Sequence, residues 1–293
     1  MTSRQVFKRL LRRDKLLVAP GCFDGLSARL VEEAGFEAAY LSGGAVARSM
    51  GLPDIGLVTM SEVIERAAQV VSAVKIPVIA DADTGYGNAI NLVRTVREYE
   101  RVGVAAIHIE DQITPKRCGH LEGKEVIVLP EMVKKLEAAL ASRNDPDFCI
   151  IARTDARAVH GLDDAINRGR AFAQLGVDAV FVEAPQSENE LEEIPRALSE
   201  VPLLVNVFKG GKTPVLPIGR LETMGYRIAI YPSETQRAAI HSMRQALGLL
   251  KRNGTTEAMD EALTTFKERD KIVGLEDWQV LERRFLNPDP EKN

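Results

Sequence analysis

The chain has 293 residues, of which 45% are hydrophobic, 27% are charged and 5% are aromatic. Its 38 basic and 42 acidic side chains give a formal net charge of -4, which excludes the strongly basic surface that a nucleic-acid partner requires. No stretch approaches about 18 consecutive apolar residues, and the start of the chain lacks the long apolar segment of a secretory signal. We therefore expect no membrane span and no secretion.

The first 13 residues carry several basic side chains and no acidic one. This pattern has two interpretations, which are a mitochondrial presequence and an amphipathic helix packed against the body of the protein. In the second interpretation the buried face consists of Val6, Phe7, Leu10 and Leu11.

The three cysteines, Cys22, Cys118 and Cys149, form neither a CxxC pair nor an even framework of disulfides. We therefore expect a reduced, cytoplasmic protein. Cys149 lies inside the apolar run FCII and is predicted to be a core residue. For Cys22 the pattern does not separate a structural role from a functional one.

Eight short apolar runs recur along the chain and are predicted to be β-strands. They are KLLVAP, EAAYLSG, IPVIADAD, AAIHIED, DFCIIAR, DAVFVEA, PLLVNV and RIAIYP. Their near-continuous apolar character is typical of strands that are buried on both faces of a parallel sheet. Segments of helical period separate them, and several end in a glycine where a helix C-cap is expected, at Gly35, Gly103 and Gly176.

Eight consecutive β-then-α units predict an α/β protein with a (β/α)8 TIM-type barrel. We assign residues 1–254 to this barrel and its N-terminal helix, and residues 255–293, with Trp278, to an additional C-terminal helical segment. A doubly wound sheet is the competing architecture, because Gly85-Tyr86-Gly87 follows a strand and opens a helix. The third glycine of the dinucleotide-binding GxGxxG motif is missing, so the barrel is favoured.

Polar residues stand at the carboxyl ends of the predicted strands, where the active site of such a barrel lies. The second to seventh runs end, in order, in Ser42-Gly43-Gly44, Asp81 and Asp83, His108 and Glu110, Arg153, Glu183, and Asn206. Burying an unpaired carboxylate is costly, so the acids predict a cationic partner at this rim.

The acids at two neighbouring strand ends predict a metal site. Residues two apart on a strand share a face, so we expect Asp81 and Asp83 to point the same way. With Glu110, and with Asp54 from the loop GLPDIG, they form an oxygen-rich site that suits Mg²⁺, Mn²⁺ being the alternative. Zinc is disfavoured because no thiolate pair is available. The competing interpretation is that Asp81 and Asp83 only cap the following turn and helix.

The loop after the fourth strand carries a free thiol between cations, in Pro115-Lys116-Arg117-Cys118-Gly119-His120. A free cysteine has a pKa of about 8.5, and the flanking cations and histidine are expected to lower it. The thiol would then exchange protons near neutral pH. A solvated basic loop with an incidental cysteine is the alternative.

Two further groups are candidates for binding an anionic substrate. Arg153 offers the planar fork that matches a carboxylate, and Glu183 would orient it. A purely structural salt bridge between these two residues is the alternative. Ser42-Gly43-Gly44 can present backbone N–H groups to an oxyanion or form an ordinary tight turn.

Six segments of the chain resemble the isocitrate lyase and phosphoenolpyruvate mutase superfamily. They are SGGAVARSMGLPDIG, DADTGYGN, HIEDQITPKRCGHLEGK, IIARTDAR, FVEAP and VNVFKGGKTP. The resemblance implies a (β/α)8 barrel assembled as a homotetramer in which neighbouring subunits exchange a C-terminal helix, a role that suits the segment around Trp278. It also implies a carbon–carbon lyase, because the phosphoenolpyruvate mutases carry another residue in place of the loop cysteine, Cys118.

The implied activity is magnesium-dependent cleavage of a 2-substituted malate or an isocitrate-type 2-hydroxy polycarboxylate, of the 2-methylisocitrate or 2,3-dimethylmalate class. The products would be a 2-oxo acid such as pyruvate and a carboxylate. The same site would suit a carboxyvinyl-carboxyphosphonate phosphorylmutase, or an oxaloacetate decarboxylase or hydrolase. A non-catalytic barrel that senses a dicarboxylate is a further alternative.

Carried over to this chain, the resemblance assigns three groups of residues. The metal site comprises Asp81, Asp83, Glu110 and Asp54. The substrate-binding group comprises Ser42, Gly43, Gly44, Gly119 and Asn206. The catalytic group comprises Cys118, Lys116, His120, Arg153 and Glu183. In this assignment Cys118 exchanges the proton at the cleaved carbon, while Lys116 and His120 assist on a loop that closes over the substrate.

One position departs from the pattern of the superfamily. Its members typically have an acid at the end of an Asn-x-x-Glu stretch, whereas here Asn206-Val207-Phe208 is followed by Lys209. Because this reverses a charge at the barrel mouth, we expect a change in the substrate tail that is accepted or in the closure of the loop. Our hypothesis is that Lys209 favours a substrate with a more anionic tail.

Overall fold

A closed parallel barrel forms the core of the structure, a computed structural model that describes residues 1–286. Its strands are β1 (Leu17–Cys22), β2 (Ala39–Leu41), β3 (Val78–Asp81), β4 (Ala106–Glu110), β5 (Cys149–Thr154), β6 (Ala179–Val182), β7 (Leu203–Asn206) and β8 (Ile228–Tyr231). Each strand pairs in parallel with the next along the chain, and β8 pairs with β1.

The strand pairing confirms the predicted (β/α)8 fold. Each of the eight apolar runs overlaps one strand of the closed barrel. The pairing of Leu17 with Ile228 joins the first strand to the last. A doubly wound sheet is open at both edges, so this closure excludes the competing architecture.

One helix precedes the first strand, and at least one helix follows each strand. They are α1 (Ser3–Arg12), α2 (Gly25–Glu33), α3 (Gly43–Ser49), α4 (Met60–Ala73), α5 (Ala89–Arg101), α6 (Leu129–Ser142), α7 (Ala156–Val159), α8 (Leu162–Gln174), α9 (Glu188–Ala197), α10 (Ile218–Met224), α11 (Glu234–Asn253), a 3₁₀ helix (Glu257–Ala262), α12 (Phe266–Ile272) and α13 (Leu275–Leu286). Side chains cap several of them, as Thr59 does for α4 and Asn88 for α5. No helix in this described part of the chain is long and apolar enough to cross a membrane.

The N-terminal helix covers the amino-terminal end of the barrel. Phe7 is wholly buried, and Leu10 and Leu11 are 5% exposed, in one cluster with the side chains of the barrel interior. On the polar side of α1, Arg4 pairs with Asp145 at 2.9 Å, just before β5. The segment is therefore an amphipathic helix packed against the body of the protein, as in the second interpretation, and Arg4 takes part in the fold.

Two of the cysteines are core residues. Cys149 is wholly buried inside the barrel, as predicted. Cys22 is wholly buried in the apolar layer between the sheet and the helices, and burial raises its pKa to about 12. Its role is therefore structural, which the sequence left open.

The chain divides into two compact units, Met1–Gln236 and Arg237–Asn293. The first unit contains the barrel. The second begins inside α11, which is earlier than the boundary at 254/255 that the sequence suggested. The last residues of the predicted C-terminal segment, 287–293, lie outside the described residues. Exchange of this segment between subunits stays a prediction.

Candidate active site

A cavity opens at the carboxyl ends of the strands, where the barrel fold predicts the active site. Most of the predicted site residues line it, namely Ser42, Gly44, Asp54, Asp81, Lys116, Cys118, Gly119, His120, Arg153, Glu183 and Asn206. Gly43, Asp83 and Glu110 do not line the cavity, although each lies next to a residue that does. The fold therefore brings together strand ends and loops that are far apart in the sequence.

The loop that carries Cys118 lies over this cavity, and we call residues 111–127 the flap. Its base is a short antiparallel ladder around the bridge between Gln112 and Val126. Its tip meets the barrel where Cys118 N donates a hydrogen bond to Asp54 O at 3.3 Å. The flap therefore holds the thiol at the mouth of the barrel.

Lys116 lies between two of the carboxylates that were predicted to hold a metal. Its Nζ is 2.5 Å from Asp54 Oδ1 and 2.8 Å from Asp83 Oδ1. Burial opposes a charged ammonium here, yet the carboxylates of Asp83, Asp81 and Asp54 raise the pKa of Lys116 well above its ordinary value. Lys116 is therefore a permanent cation, and it is one of the partners that the buried acids require.

The buried carboxylates at the mouth differ in how readily they ionise. Burial opposes ionisation of Asp81, but His108 and Lys116 outweigh it and hold the pKa of Asp81 below its ordinary value. Burial raises the pKa of Asp83 to about 6, with Lys116 opposing the shift and Asp81 adding to it. Burial also raises the pKa of Glu110 well above its ordinary value. Asp81 is therefore the most acidic of the three.

Asp83 does not share a strand face with Asp81, so that expectation was wrong. The strand β3 ends at Asp81, and Asp83 has a left-handed backbone with φ 45°. The alternation of side chains ends with the strand, so the two-residue spacing of Asp81 and Asp83 does not place them on one face. Asp83 N donates to Asp81 Oδ1 at 3.0 Å, so Asp81 also caps this turn, as the competing interpretation proposed.

The acids do not form a closed metal cage. Within residues 1–286, no group of three or more His, Cys, Asp or Glu side chains is arranged to hold a metal ion. Mg²⁺ typically binds through one or two carboxylates and keeps several waters, and the mouth fits that requirement. Asp81 lines the cavity, and Glu110 has a buried Oε1 with no hydrogen-bond partner among the described residues. These oxygen donors suit a hard divalent cation.

The start of α3 brings backbone N–H groups to the cavity. Ser42 is the N-cap residue of this helix. A Cβ on Gly43 would lie 2.7 Å from Asp81 Oδ2. A Cβ on Gly44 would lie 2.6 Å from Asp54 Oδ2, so glycine is required for the helix to approach both carboxylates. The first-turn N–H groups have no acceptor inside the helix and can bind an oxyanion.

Three acids surround Arg153. Its Nε is 2.9 Å from Asp155 Oδ2 and 3.3 Å from Glu110 Oε2. Its Nη2 is 3.6 Å from Glu183 Oε2, so the expected contact with Glu183 exists. Asp155 makes the shortest contact and is the main orienting group, although the sequence analysis did not single it out. Asp155 lies just after the last residue of β5, where strand alternation no longer applies, so the two-residue spacing from Arg153 did not identify it.

Cys118 has a raised pKa, contrary to the expectation from its flanking cations. Burial is the largest cause, and the carboxylates of Asp54 and Glu183 add to it, whereas a hydrogen bond from the His120 backbone and the charge of Arg153 oppose it. The prediction was wrong because burial dominates and the loop cation Lys116 is paired with Asp54 and Asp83. The thiol therefore keeps its proton near neutral pH.

His120 lies two residues after Cys118 in the flap tip, and its imidazole is neutral. Its ring stacks on Phe208 with the ring centroids 5.0 Å apart, and burial lowers its pKa. Its Nδ1 accepts a hydrogen bond from Lys212 N at 3.2 Å, which places the ring proton on Nε2. This Nε2 is 3.4 Å from Glu183 Oε1, and Asn206 Nδ2 is 3.3 Å from the same oxygen. Glu183 therefore connects the flap to β7.

Lys209 lies outside the cavity. It follows Phe208, which does line the cavity, and its own side chain is exposed. The preference for a more anionic tail that the sequence assigns to Lys209 stays a prediction.

The family model described as phosphoenolpyruvate phosphomutase matches residues 7–251. The chain belongs to the phosphoenolpyruvate phosphomutase family. This confirms the resemblance that the motif segments carry. A relative, 2,3-dimethylmalate lyase of Eubacterium barkeri, is 43% identical over 286 residues, which are 97% of this chain and 99% of that protein. Another, 2-methylisocitrate lyase of Bacillus subtilis, is 41% identical over 277 residues, 94% of this chain and 91% of that one.

Solved structures agree with membership of the phosphoenolpyruvate phosphomutase family. Oxaloacetate acetylhydrolase, in complex with the inhibitor 3,3-difluorooxalacetate, superposes with a TM-score of 0.92 and 34% identity over 97% of both chains. Phosphonopyruvate hydrolase, in complex with oxalate and Mg²⁺, superposes with a TM-score of 0.90 and 32% identity over 98% of this chain and 100% of that one. The barrel is thus shared by lyases and hydrolases, and the side chains must decide the activity.

In this member of the phosphoenolpyruvate phosphomutase family, the cavity floor includes a tyrosine that the sequence analysis did not single out. Tyr40 Oη and His108 Nε2 share a hydrogen bond of 2.8 Å, and burial lowers the pKa of His108 to about 4. Tyr40 precedes Ser42 by two residues, and the backbone at Ser42 is still extended after β2, so the alternation places both side chains on one face. That spacing was the signal that could have found it.

Two further cations at the mouth were also missed. Arg48 lines the cavity and follows Gly44 by four residues, a spacing that places both on one face of α3. Lys124 is buried in the flap, where its Nζ donates to Gly119 O and, at 3.0 Å, to Asp155 Oδ1. Nothing in the local sequence distinguishes Lys124 from an exposed lysine.

Proposed function

We propose that the protein is a magnesium-dependent carbon–carbon lyase. Its substrate is a 2-substituted malate or an isocitrate-type 2-hydroxy polycarboxylate, of the 2-methylisocitrate or 2,3-dimethylmalate class. Its products are a 2-oxo acid such as pyruvate and a second carboxylate. The observation that carries the proposal is that the protonated thiol of Cys118 lines the same cavity as Asp81 and the first turn of α3. The names of the Eubacterium barkeri and Bacillus subtilis relatives support this class of reaction.

The proposed reaction moves one proton from oxygen to carbon. The bond between the hydroxyl-bearing carbon and its neighbour breaks, and its electron pair stays on the neighbouring carbon. The hydroxyl oxygen loses its proton and becomes the keto oxygen of the 2-oxo acid. Cys118 Sγ–H protonates the released carbon, and the proton that left the hydroxyl restores the thiol. A raised thiol pKa suits this step, because the sulfur carries a proton before cleavage.

The remaining residues stabilise charge and position the substrate. The N–H groups of Gly43 and Gly44 bind an oxyanion of the 2-oxo acid half. The guanidinium of Arg153, oriented by Asp155, binds a carboxylate. The closed flap keeps bulk water from the carbon that receives the proton.

The carboxylate of Asp81 would hold Mg²⁺, with Asp54 nearby and with Oε1 of Glu110, which has no hydrogen-bond partner within residues 1–286. When bound, the ion would stabilise negative charge on the substrate oxygens, which is the chemistry that the loss of the hydroxyl proton requires. The Mg²⁺ in the phosphonopyruvate hydrolase complex supports the choice of metal. Mn²⁺ is the alternative with similar preferences.

The function is tested by product analysis with 2-methylisocitrate, 2,3-dimethylmalate and isocitrate, each with Mg²⁺ and with EDTA. We expect release of pyruvate from at least one of the first two substrates, and loss of this activity in EDTA. The likeness to oxaloacetate acetylhydrolase makes hydrolysis of oxaloacetate to oxalate and acetate the second candidate. Oxaloacetate hydrolysis without any lyase activity would contradict the proposal, as would phosphonate turnover seen by phosphorus NMR. A ligand-induced thermal shift without turnover would indicate a sensor.

We also propose that residues 255–293 form a helical extension that neighbouring subunits of a homotetramer exchange. In the described part of this segment, Phe266, Trp278 and Phe285 are 72%, 67% and 68% exposed. Large exposed aromatic side chains are typical of an interaction surface. Sedimentation equilibrium of the parent and of Trp278→Glu tests this, and we expect the substitution to favour smaller species. A monomeric parent would contradict it. Separately, we propose that the protein is cytoplasmic.

A further inference from the structure

The cations that line the cavity differ in the number of acids around them. Lys116 Nζ contacts Asp54 and Asp83 within 2.8 Å. Arg153 contacts three carboxylates, of which that of Asp155 is nearest at 2.9 Å. Both cations are therefore already balanced by acids of the protein before a substrate enters.

Arg48 is the remaining lysine or arginine of the cavity lining, and its side chain makes neither an ion pair nor a hydrogen bond to another of residues 1–286. It lies in the last turn of α3, and its Nη1 is 3.1 Å from the position that a Cβ of Gly44 would take. The side chain is exposed at the mouth. Asp54 approaches the same glycine, but Lys116 holds its other oxygen at 2.5 Å. The guanidinium of Arg48 is thus free to bind a ligand.

The cavity is acidic apart from these cations, since Asp54, Asp81 and Glu183 also line it. A substrate with several carboxylates meets repulsion there unless each carboxylate finds a cation or N–H groups. A ligand held by the first turn of α3 and extending along this helix reaches Arg48 one turn later. A planar guanidinium pairs with a carboxylate through two parallel hydrogen bonds, which gives this contact both strength and orientation.

We propose that Arg48 binds a substrate carboxylate that takes no part in bond cleavage, and that it thereby selects tricarboxylates over dicarboxylates. The inference rests on the proposed lyase function and narrows it to one kind of substrate. 2-Methylisocitrate has this third carboxylate on a carboxymethyl group, and 2,3-dimethylmalate has a methyl group in place of that carboxymethyl group. The pocket therefore favours the first of these over the second.

The kinetic test compares the parent with Arg48→Gln and Arg48→Lys on both substrates. We expect Arg48→Gln to lower kcat/KM for 2-methylisocitrate by about tenfold or more, mainly through KM, and to leave 2,3-dimethylmalate nearly unchanged. Arg48→Lys keeps the charge but loses the planar fork, so its kcat/KM for 2-methylisocitrate should lie between those of the parent and of Arg48→Gln. Arg97→Gln, at an exposed position on α5, is the matched control and should leave both substrates unaffected. Equal losses on both substrates, or an unchanged ratio, would overturn the inference.

A binding test separates this inference from the lyase reaction itself. Calorimetry with tricarballylate and with 2-methylsuccinate, which cannot be cleaved in this way, measures recognition of the third carboxylate without turnover. We expect the parent to bind tricarballylate about tenfold more tightly or better, and Arg48→Gln to lose this preference. If the parent cleaves neither lyase substrate but keeps this preference, the proposed function fails while the role of Arg48 stands. Equal affinities, or no binding of tricarballylate, would refute the role of Arg48 even in an active lyase.

Discussion

The ammonium of Lys124 lies 3.0 Å from Asp155 Oδ1, and both side chains are almost completely buried. Lys124 belongs to the flap, whereas Asp155 follows β5 and orients Arg153. The same ammonium donates to Gly119 O in the flap tip. One buried cation therefore connects the closed position of the flap with the arginine at the barrel mouth.

Replacing Lys124 with Met should impair both stability and turnover. Removing one partner of a buried ion pair costs about 3–5 kcal/mol, so we expect a lower Tm. Because Arg153 and the flap tip lose a common anchor, we expect kcat to fall by about tenfold or more. Thermal unfolding and steady-state pyruvate release measure the two effects. Lys134→Met removes an exposed lysine and is the control; a parental kcat in Lys124→Met would show that the flap does not depend on this link.

Removing the thiol tests its role as the proton donor. We expect Cys118→Ala and Cys118→Ser to lower turnover by at least about a hundredfold, while binding of Mg²⁺ survives. Cys149→Ala is the matched control, because this cysteine is wholly buried inside the barrel and away from the cavity. It should lower the Tm and keep the turnover. Near-parental turnover in Cys118→Ala would remove the thiol from the mechanism.

The raised pKa of Cys118 predicts how its reactivity depends on pH. An acid with a raised pKa is neutral near pH 7.5, so alkylation by iodoacetamide should be slower than for a free cysteine and should still increase above pH 9. Mass spectrometry after timed labelling measures the rate. The variant Cys118→Ala should resist labelling, because burial also raises the pKa of Cys22 and Cys149. A rate that levels off below pH 8 would instead indicate a lowered pKa.

The helix that covers the base of the barrel should contribute strongly to stability. Phe7 is wholly buried, and truncating a buried phenylalanine to alanine costs about 3–5 kcal/mol. We therefore expect Phe7→Ala to lower the Tm by several degrees or more. Phe36→Ala provides the comparison, since Phe36 is 37% exposed and should matter much less. Similar losses for the two variants in calorimetry would argue against a tightly packed helix.

The charge at Lys209 gives a further test of substrate choice. Lys209→Glu is expected to reduce the preference for more anionic tails across a panel of substituted malates. Because Lys209 does not line the cavity, we expect a smaller change than for Arg48→Gln. An unchanged order of preference would show that position 209 does not select the tail.

The fold was largely predictable because it depends on local patterns. Buried parallel strands are apolar on both faces, so each appears in the sequence as a short continuous run. Chain order then fixes the topology, since eight β-then-α units close most simply into a barrel. The left-handed turn at Asp83 was not predictable in this way, because strand alternation carries no information past the last residue of β3.

The candidate site was predictable in its members but not in its electrostatics. Strand-end positions identified Arg153 and Glu183, because the carboxyl ends of parallel strands meet at one rim. The pKa of Cys118 depends on Asp54 and Glu183, which are remote in the sequence and become neighbours only through the closed barrel. The sequence shows only the neighbours of Cys118 along the chain, so the flanking cations suggested a lowered pKa, whereas its neighbours in space and its burial raise it.

The packing of α1 determines how ligands travel. Since Phe7 and its neighbours fill the base of the barrel, that end offers no exit, and the products must leave through the same opening by which the substrate entered. The flap covers this opening, so it has to swing aside once in every catalytic cycle. Opening of the flap can therefore limit kcat. Substitutions that loosen the bridge between Gln112 and Val126 at its base are then expected to speed product release and to weaken the hold on the thiol.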